Sequence, residues 1–89
     1  MNKIEAEAIV TAELARYEAL DYAELVAMVD APKITTEVVG PSGVRYYVDI
    51  RARWDNKARG HVRVTCNVDD GGASAFLPLT SDFIKEPAN

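Results

Sequence analysis

With 89 residues, 48% of them hydrophobic and 27% charged, the chain is expected to form one domain, residues 1–89, around a single modest core, and wholesale disorder is not expected. No apolar run approaches the roughly 20 residues that a transmembrane helix needs. Acids at Glu5, Glu7 and Glu13 stand where a signal peptide would be apolar, so no membrane role is expected. The lone cysteine, Cys66, allows no internal disulfide and offers no metal-ligand spacing, which makes a reducing cytoplasm the expected compartment.

The net charge of −4 is spread unevenly. Residues 1–32 hold Lys3 and Arg16 against seven acids. Residues 33–68 hold seven bases against Glu37, Asp49 and Asp55, and residues 69–89 hold Lys85 against four acids. Such asymmetry either steers a partner or pairs segments within the fold.

In chain order, Asn2 with Glu5 three residues on reads as a helix N-cap of the capping-box type. Behind it Ala6, Ile9, Val10, Leu14, Tyr17 and Leu20 recur at helical spacing as one apolar stripe. A second start signal stands at Asp21 with Glu24, followed by Tyr22, Leu25, Val26 and Val29. The pattern predicts a helix over residues 3–20, a kink or short break, and a second helix to about residue 29. Pro32 ends it, because proline disfavours helical geometry in the residue before it.

Four strands are predicted to follow. Residues 34–39 alternate and run into Gly40-Pro41-Ser42-Gly43, a turn signal. The stretch 44–54 carries Val44, Tyr46, Val48, Ile50, Ala52 and Trp54 on one side of a strand, and Arg45, Tyr47, Asp49, Arg51 and Arg53 on the other. Residues 61–68 repeat the alternation with Val62, Val64, Cys66 and Val68 inward. Asp69-Asp70-Gly71-Gly72 places Asp-Gly at the centre of a two-residue hairpin. That turn would set Val68 opposite Ala73 and Cys66 opposite Ala75, in a last strand ended by Pro78. Residues 80–85 would then form one helical turn, with Phe83 and Ile84 tucked under the sheet. Pairing of Val38 with Val44, and of the Val62 series with Ala52 and Ile50, leaves one sheet face apolar throughout. The expected fold is α+β: an N-terminal helical segment, one kinked or two short helices, packed on one face of a three- to four-stranded antiparallel meander.

The outer sheet face is the candidate interaction face, with Arg45, Tyr47, Arg51, Arg53, His61, Arg63 and Phe76 as its residues. Arginines interleaved with aromatics are what single-strand nucleic-acid binders use to hold phosphates and stack bases. A charged, solvated face is also normal for an antiparallel sheet, and an acidic chain is poorly suited to long-range attraction of nucleic acid. A protein partner or self-association therefore ranks ahead of nucleic acid. Catalytic chemistry is not expected: Asp69 and Asp70 are read as turn residues rather than cation ligands, and His61 as a surface residue. Cys66 has core parity, and Ser42 and Ser74 have no base in view. No metal or cofactor is expected.

The order of a helix and then strands, with Gly40-Pro41 before a strand, faintly resembles a double-stranded-RNA-binding domain. That family's C-terminal helix begins with a lysine cluster, whereas residues 78–89 carry Lys85 alone. Over most of its length the chain is similar to a family of small uncharacterised bacterial proteins with a helical N-terminus and a compact sheet. The resemblance lies in Gly40-Pro41-Ser42-Gly43 with Tyr46, Trp54-Asp55, Asp69-Asp70-Gly71-Gly72, and Phe76-Leu77-Pro78-Leu79 leading to Phe83-Ile84. It implies a fold and no activity.

Overall fold

The computed structural model describes residues 1–72 and 78–87. Two helices, α1 (Lys3–Glu18) and α2 (Tyr22–Val29), precede four strands, β1 (Ile34–Val39), β2 (Arg45–Trp54), β3 (Val62–Asp69) and β4 (Leu79–Lys85). The strands form one antiparallel meander in the order β1-β2-β3-β4, with both helices on one face. Neither helix is long and apolar enough to cross a membrane.

Each helix starts where a side chain can accept an otherwise unpaired N–H. Asn2 Oδ1 accepts from Glu5 N at 3.1 Å, and Asp21 Oδ1 from Glu24 N at 2.8 Å. Glu5 does not close a capping box. Its carboxylate turns across to the β1–β2 turn, where it accepts from Ser42 N at 3.1 Å and Ser42 Oγ at 2.8 Å. The Ser42 hydroxyl bond lowers the Glu5 pKa below its ordinary value. A Cβ at Gly40 would fall on the Glu5 carboxylate, so a larger residue there would displace this clamp. At its far end α1 is held by Lys85, whose Nζ donates to the Glu18 carbonyl at 2.7 Å and the Leu20 carbonyl at 2.6 Å. A cation there meets unpaired carbonyls and the negative end of the helix dipole.

The alternation beginning at Val44 sorts the sheet as the sequence requires. Tyr46, Val48, Ile50 and Ala52 of β2, and Val62, Val64, Cys66 and Val68 of β3, are buried. They meet Ala6, Val10 and Leu14 of α1 and Leu25 of α2 in one core. α1 lies over β3 and β4, and α2 over β2.

Three details differ from the sequence expectation. Val38 stands opposite Tyr46, not Val44, so the connection closing that pair is longer while the inward parity survives. Residues 80–85 are strand, not a helical turn. And Val68 pairs with Leu79 and Cys66 with Ser81, rather than with Ala73 and Ala75. Pro78 precedes the last strand instead of ending it, in a position where its missing N–H costs no ladder bond. Adjacent Phe83 and Ile84 read as helical, yet in β4 they point to opposite faces: Phe83 packs on the core and Ile84 is exposed. The free edge of β3 supplies hydrogen bonds along a whole strand, which one isolated helical turn cannot match. Ala73, Ala75 and Leu77 lie outside the described residues.

Candidate interaction surface

The outer face is built from the odd-numbered residues of β1, β2 and β3 and the even-numbered residues of β4. It brings together the arginines named above but leaves them in different states. Arg45 is exposed and meets Glu37 Oε2, its neighbour on β1, at 3.1 Å. Arg63 is committed: its Nη2 lies 2.7 Å from Asp55 Oδ1 and its Nη1 2.8 Å from Asp82 Oδ2. Those bonds, Asp55's first and then Asp82's, raise its pKa and hold it charged. Arg53 stands directly opposite Arg63 across the ladder, and the two acids on Arg63 offset a like-charge contact that would otherwise destabilise the pair.

Arg51 and Arg53 are exposed and make no ion pair among the described residues. They line a hollow of about 310 Å³ together with Lys33, Asp49, Thr65 and Asn67. Lys33 Nζ lies 3.4 Å from Asp49 Oδ2, so the guanidinium groups are the unneutralised charge. On the floor, Thr65 Oγ1 is buried without a hydrogen-bond partner among the described residues. Tyr47 is half-buried, its ring against Gly71, where a Cβ would come within 2.9 Å of Cε2 and where φ is +81°. That ring closes the far end of the face. His61 is exposed at the entrance to β3, and Phe76 lies outside the described residues.

Lys33, Thr80 and Asp82 belong to this surface too, although the sequence pattern does not place them there. Lys33 sits just before β1. Thr80, whose Oγ1 donates to Asn67 Oδ1 at 2.7 Å, and Asp82 fall in the stretch expected to be a helical turn. The two-residue spacing of Leu79, Ser81, Phe83 and Lys85 is the available signal, weakened by serine and lysine at inward positions.

The other exposed feature is β1. It is an edge strand paired to β2 in unbroken register over six residues, with no proline or bulge. Nearly all of it is exposed, including Ile34 at 41% and Val39 at 60%. Hydrogen bonding within an antiparallel ladder alternates. Because Gly40 N donates to the Val44 carbonyl at 2.8 Å, the even residues of β1 face β2 with their backbone groups. The N–H and C=O of Thr35, Glu37 and Val39 face the open edge. Beyond the end of β1 lies an apolar depression of about 510 Å³, lined mainly by Ile4, Ala8, Ile9, Ala12 and Pro41, with Ile4 83% exposed.

Nucleophilic chemistry has little support among these groups. Cys66 is buried in the core, and burial, with Glu13 and Asp49 adding negative potential, pushes its thiol up to about 11, so it stays protonated and unreactive at neutral pH. No group of three or more His, Cys, Asp or Glu suited to a metal ion occurs among the described residues.

Fold and surface together define a two-layer α+β domain with helices on one sheet face, a partly basic opposite face and an exposed edge strand, β1. Neither a family model, nor a curated protein, nor a solved structure matches the chain.

Proposed function

We propose that this is a small cytoplasmic protein-interaction module, whose contact surface is the open edge of β1 with the adjoining outer sheet face. The observation that carries this reading is the undefended edge itself. Natural sheets usually blunt an edge with charged side chains, proline, a bulge, inward charge or a covering element; within its span β1 has only the outward Glu37, and none of the other devices among the described residues. A strand added there gains main-chain bonds from Thr35, Glu37 and Val39, and pockets beside an edge supply side-chain specificity in such complexes. The depression by Ile4 and Pro41 lies where the added chain would continue.

Glu37→Pro tests this, because the Glu37 N–H faces the open edge and its loss leaves the ladder to β2 intact. Wild-type protein used as bait is expected to retain a partner, or a second copy of itself, that the Glu37→Pro bait loses while keeping its circular-dichroism spectrum. Equal retention by both baits, or a solitary monomer in sedimentation with nothing retained by either, removes the reading.

A second reading is binding of nucleic acid or another polyanion, and it rests on the hollow where Arg51, Arg53 and the Thr65 hydroxyl converge without protein partners among the described residues. Such binding to a single-stranded oligonucleotide would weaken with salt through counterion release. Removing Arg51 and Arg53 together would flatten the log–log salt slope by roughly 0.7 for each phosphate they neutralise. Absence of binding at low salt eliminates it.

A further inference from the structure

We infer that the occupant of the β1 edge is a second copy of the same strand, joined antiparallel about a two-fold axis through Thr36 to give a continuous eight-stranded sheet. The inference rests on the edge reading above and adds the partner and the register. Only odd residues of β1 offer backbone groups to the edge, so antiparallel pairing must place odd residues opposite odd ones. Centring the axis on Thr36 satisfies this. Thr35 then exchanges hydrogen bonds with the partner's Glu37, and Lys33 faces the partner's Val39.

Side chains on both faces fit that register. On the inner face Ile34, 41% exposed in the single copy, lies opposite the partner's Val38, and Thr36 opposite its own mate. On the outer face Lys33 lies diagonal to the partner's Glu37, within reach of an ion pair, and the two-fold axis repeats the contact. No like charges stand opposite one another. The pairing closes on itself because each copy has one such edge. The opposite edge, β4, carries an inward charge, Lys85, opposite Val62 and bonded to the carbonyls at the end of α1, a feature that discourages strand addition and that β1 lacks. A seam one strand long falls below the standard interface of about 1,600 Å². A monomer–dimer equilibrium at roughly micromolar to millimolar concentration is therefore expected.

Thr36 would sit in a non-hydrogen-bonded pair with its mate, where Cα atoms are about 4.5 Å apart, inside the range a disulfide spans. Thr36→Cys is expected to cross-link into a covalent dimer with oxidised glutathione, and Thr35→Cys to cross-link much less. Cys66 is buried and does not compete. Charge at position 39 provides an independent reading of register in reduced protein: Val39→Glu faces the partner's Lys33 and should tighten the dimer, whereas Val39→Lys should loosen it. Each change is expected to be roughly 2- to 30-fold in sedimentation equilibrium, from two cross-strand pairs. A wild-type monomer up to about 1 mM, on the weak side of that range, overturns the inference. So does more cross-linking by the Thr35→Cys variant than by Thr36→Cys, or the same dissociation constant for both Val39 variants. A monomeric wild type whose bait still retains a partner lost by Glu37→Pro would sink the self-pairing and leave the edge reading standing.

Discussion

Ile50→Ala is expected to lower the unfolding free energy by about 2–5 kcal/mol, the range for truncating a buried isoleucine in a core that cannot fully collapse around the void. Ile50 is 1% exposed and sits mid-strand in β2, flanked by Ile34 on β1 and Cys66 on β3, with the helical layer above it. A chain of 89 residues has about 4–13 kcal/mol of total stability at typical values per residue. The substitution therefore removes a large share of it. Urea or guanidinium unfolding followed by tryptophan fluorescence, with Trp54 the sole indole, would measure the change. A loss under about 0.5 kcal/mol, the size of an ordinary surface substitution, would contradict Ile50's place in the core.

Leu25→Ala should be comparably costly, about 2–5 kcal/mol, but for a different structural reason. α2 has eight residues and Leu25, 0% exposed, is the one it buries fully. A helix that short does not persist in water by itself, so its docking on β2 carries its stability. A shared hydrogen bond helps: the single Tyr22 hydroxyl proton is donated to the Gly60 carbonyl at 2.7 Å, with the Arg59 carbonyl a second acceptor at 3.1 Å, tying the start of α2 to the β2–β3 turn. Removing Leu25 should release the C-terminal turns first, so hydrogen exchange of α2 amides is expected to accelerate more than that of the β2–β3 amides. Uniform acceleration across helix and sheet would mean that α2 unfolds only with the whole domain.

These two side chains show where the sequence is self-sufficient. Ile50 can be assigned to the core from alternation alone, because a strand's two-residue period leaves one choice of face once Arg51 and Arg53 are set outward. Leu25 follows from its place in an apolar stripe behind a capped start. Glu5 shows the limit. Its spacing from Asn2 fits a local capping box, but Ser42, far along the chain, offers its carboxylate two hydrogen bonds, and a choice between local and distant partners cannot be made from local spacing. Among the candidate contact residues, the outward parity of Arg45, Arg51, Arg53 and Arg63 is legible in the sequence. Their states are not, since Arg63 is neutralised in part by Asp82, which lies on a strand the local pattern does not indicate.

Local chemistry is enough to specify the α+β class, the breaks at Leu20 and Pro32, and the inward face of β2 and β3, because capping, proline geometry and the pleat act within a few residues. The assembled fold was needed to establish that residues 79–85 form a fourth strand and that Val38 meets Tyr46. It was needed equally to single out Arg51 and Arg53 as the outer-face arginines that stay unpaired among the described residues. Those outcomes depend on which distant backbone and carboxylate groups arrive alongside, and no local pattern encodes that arrival.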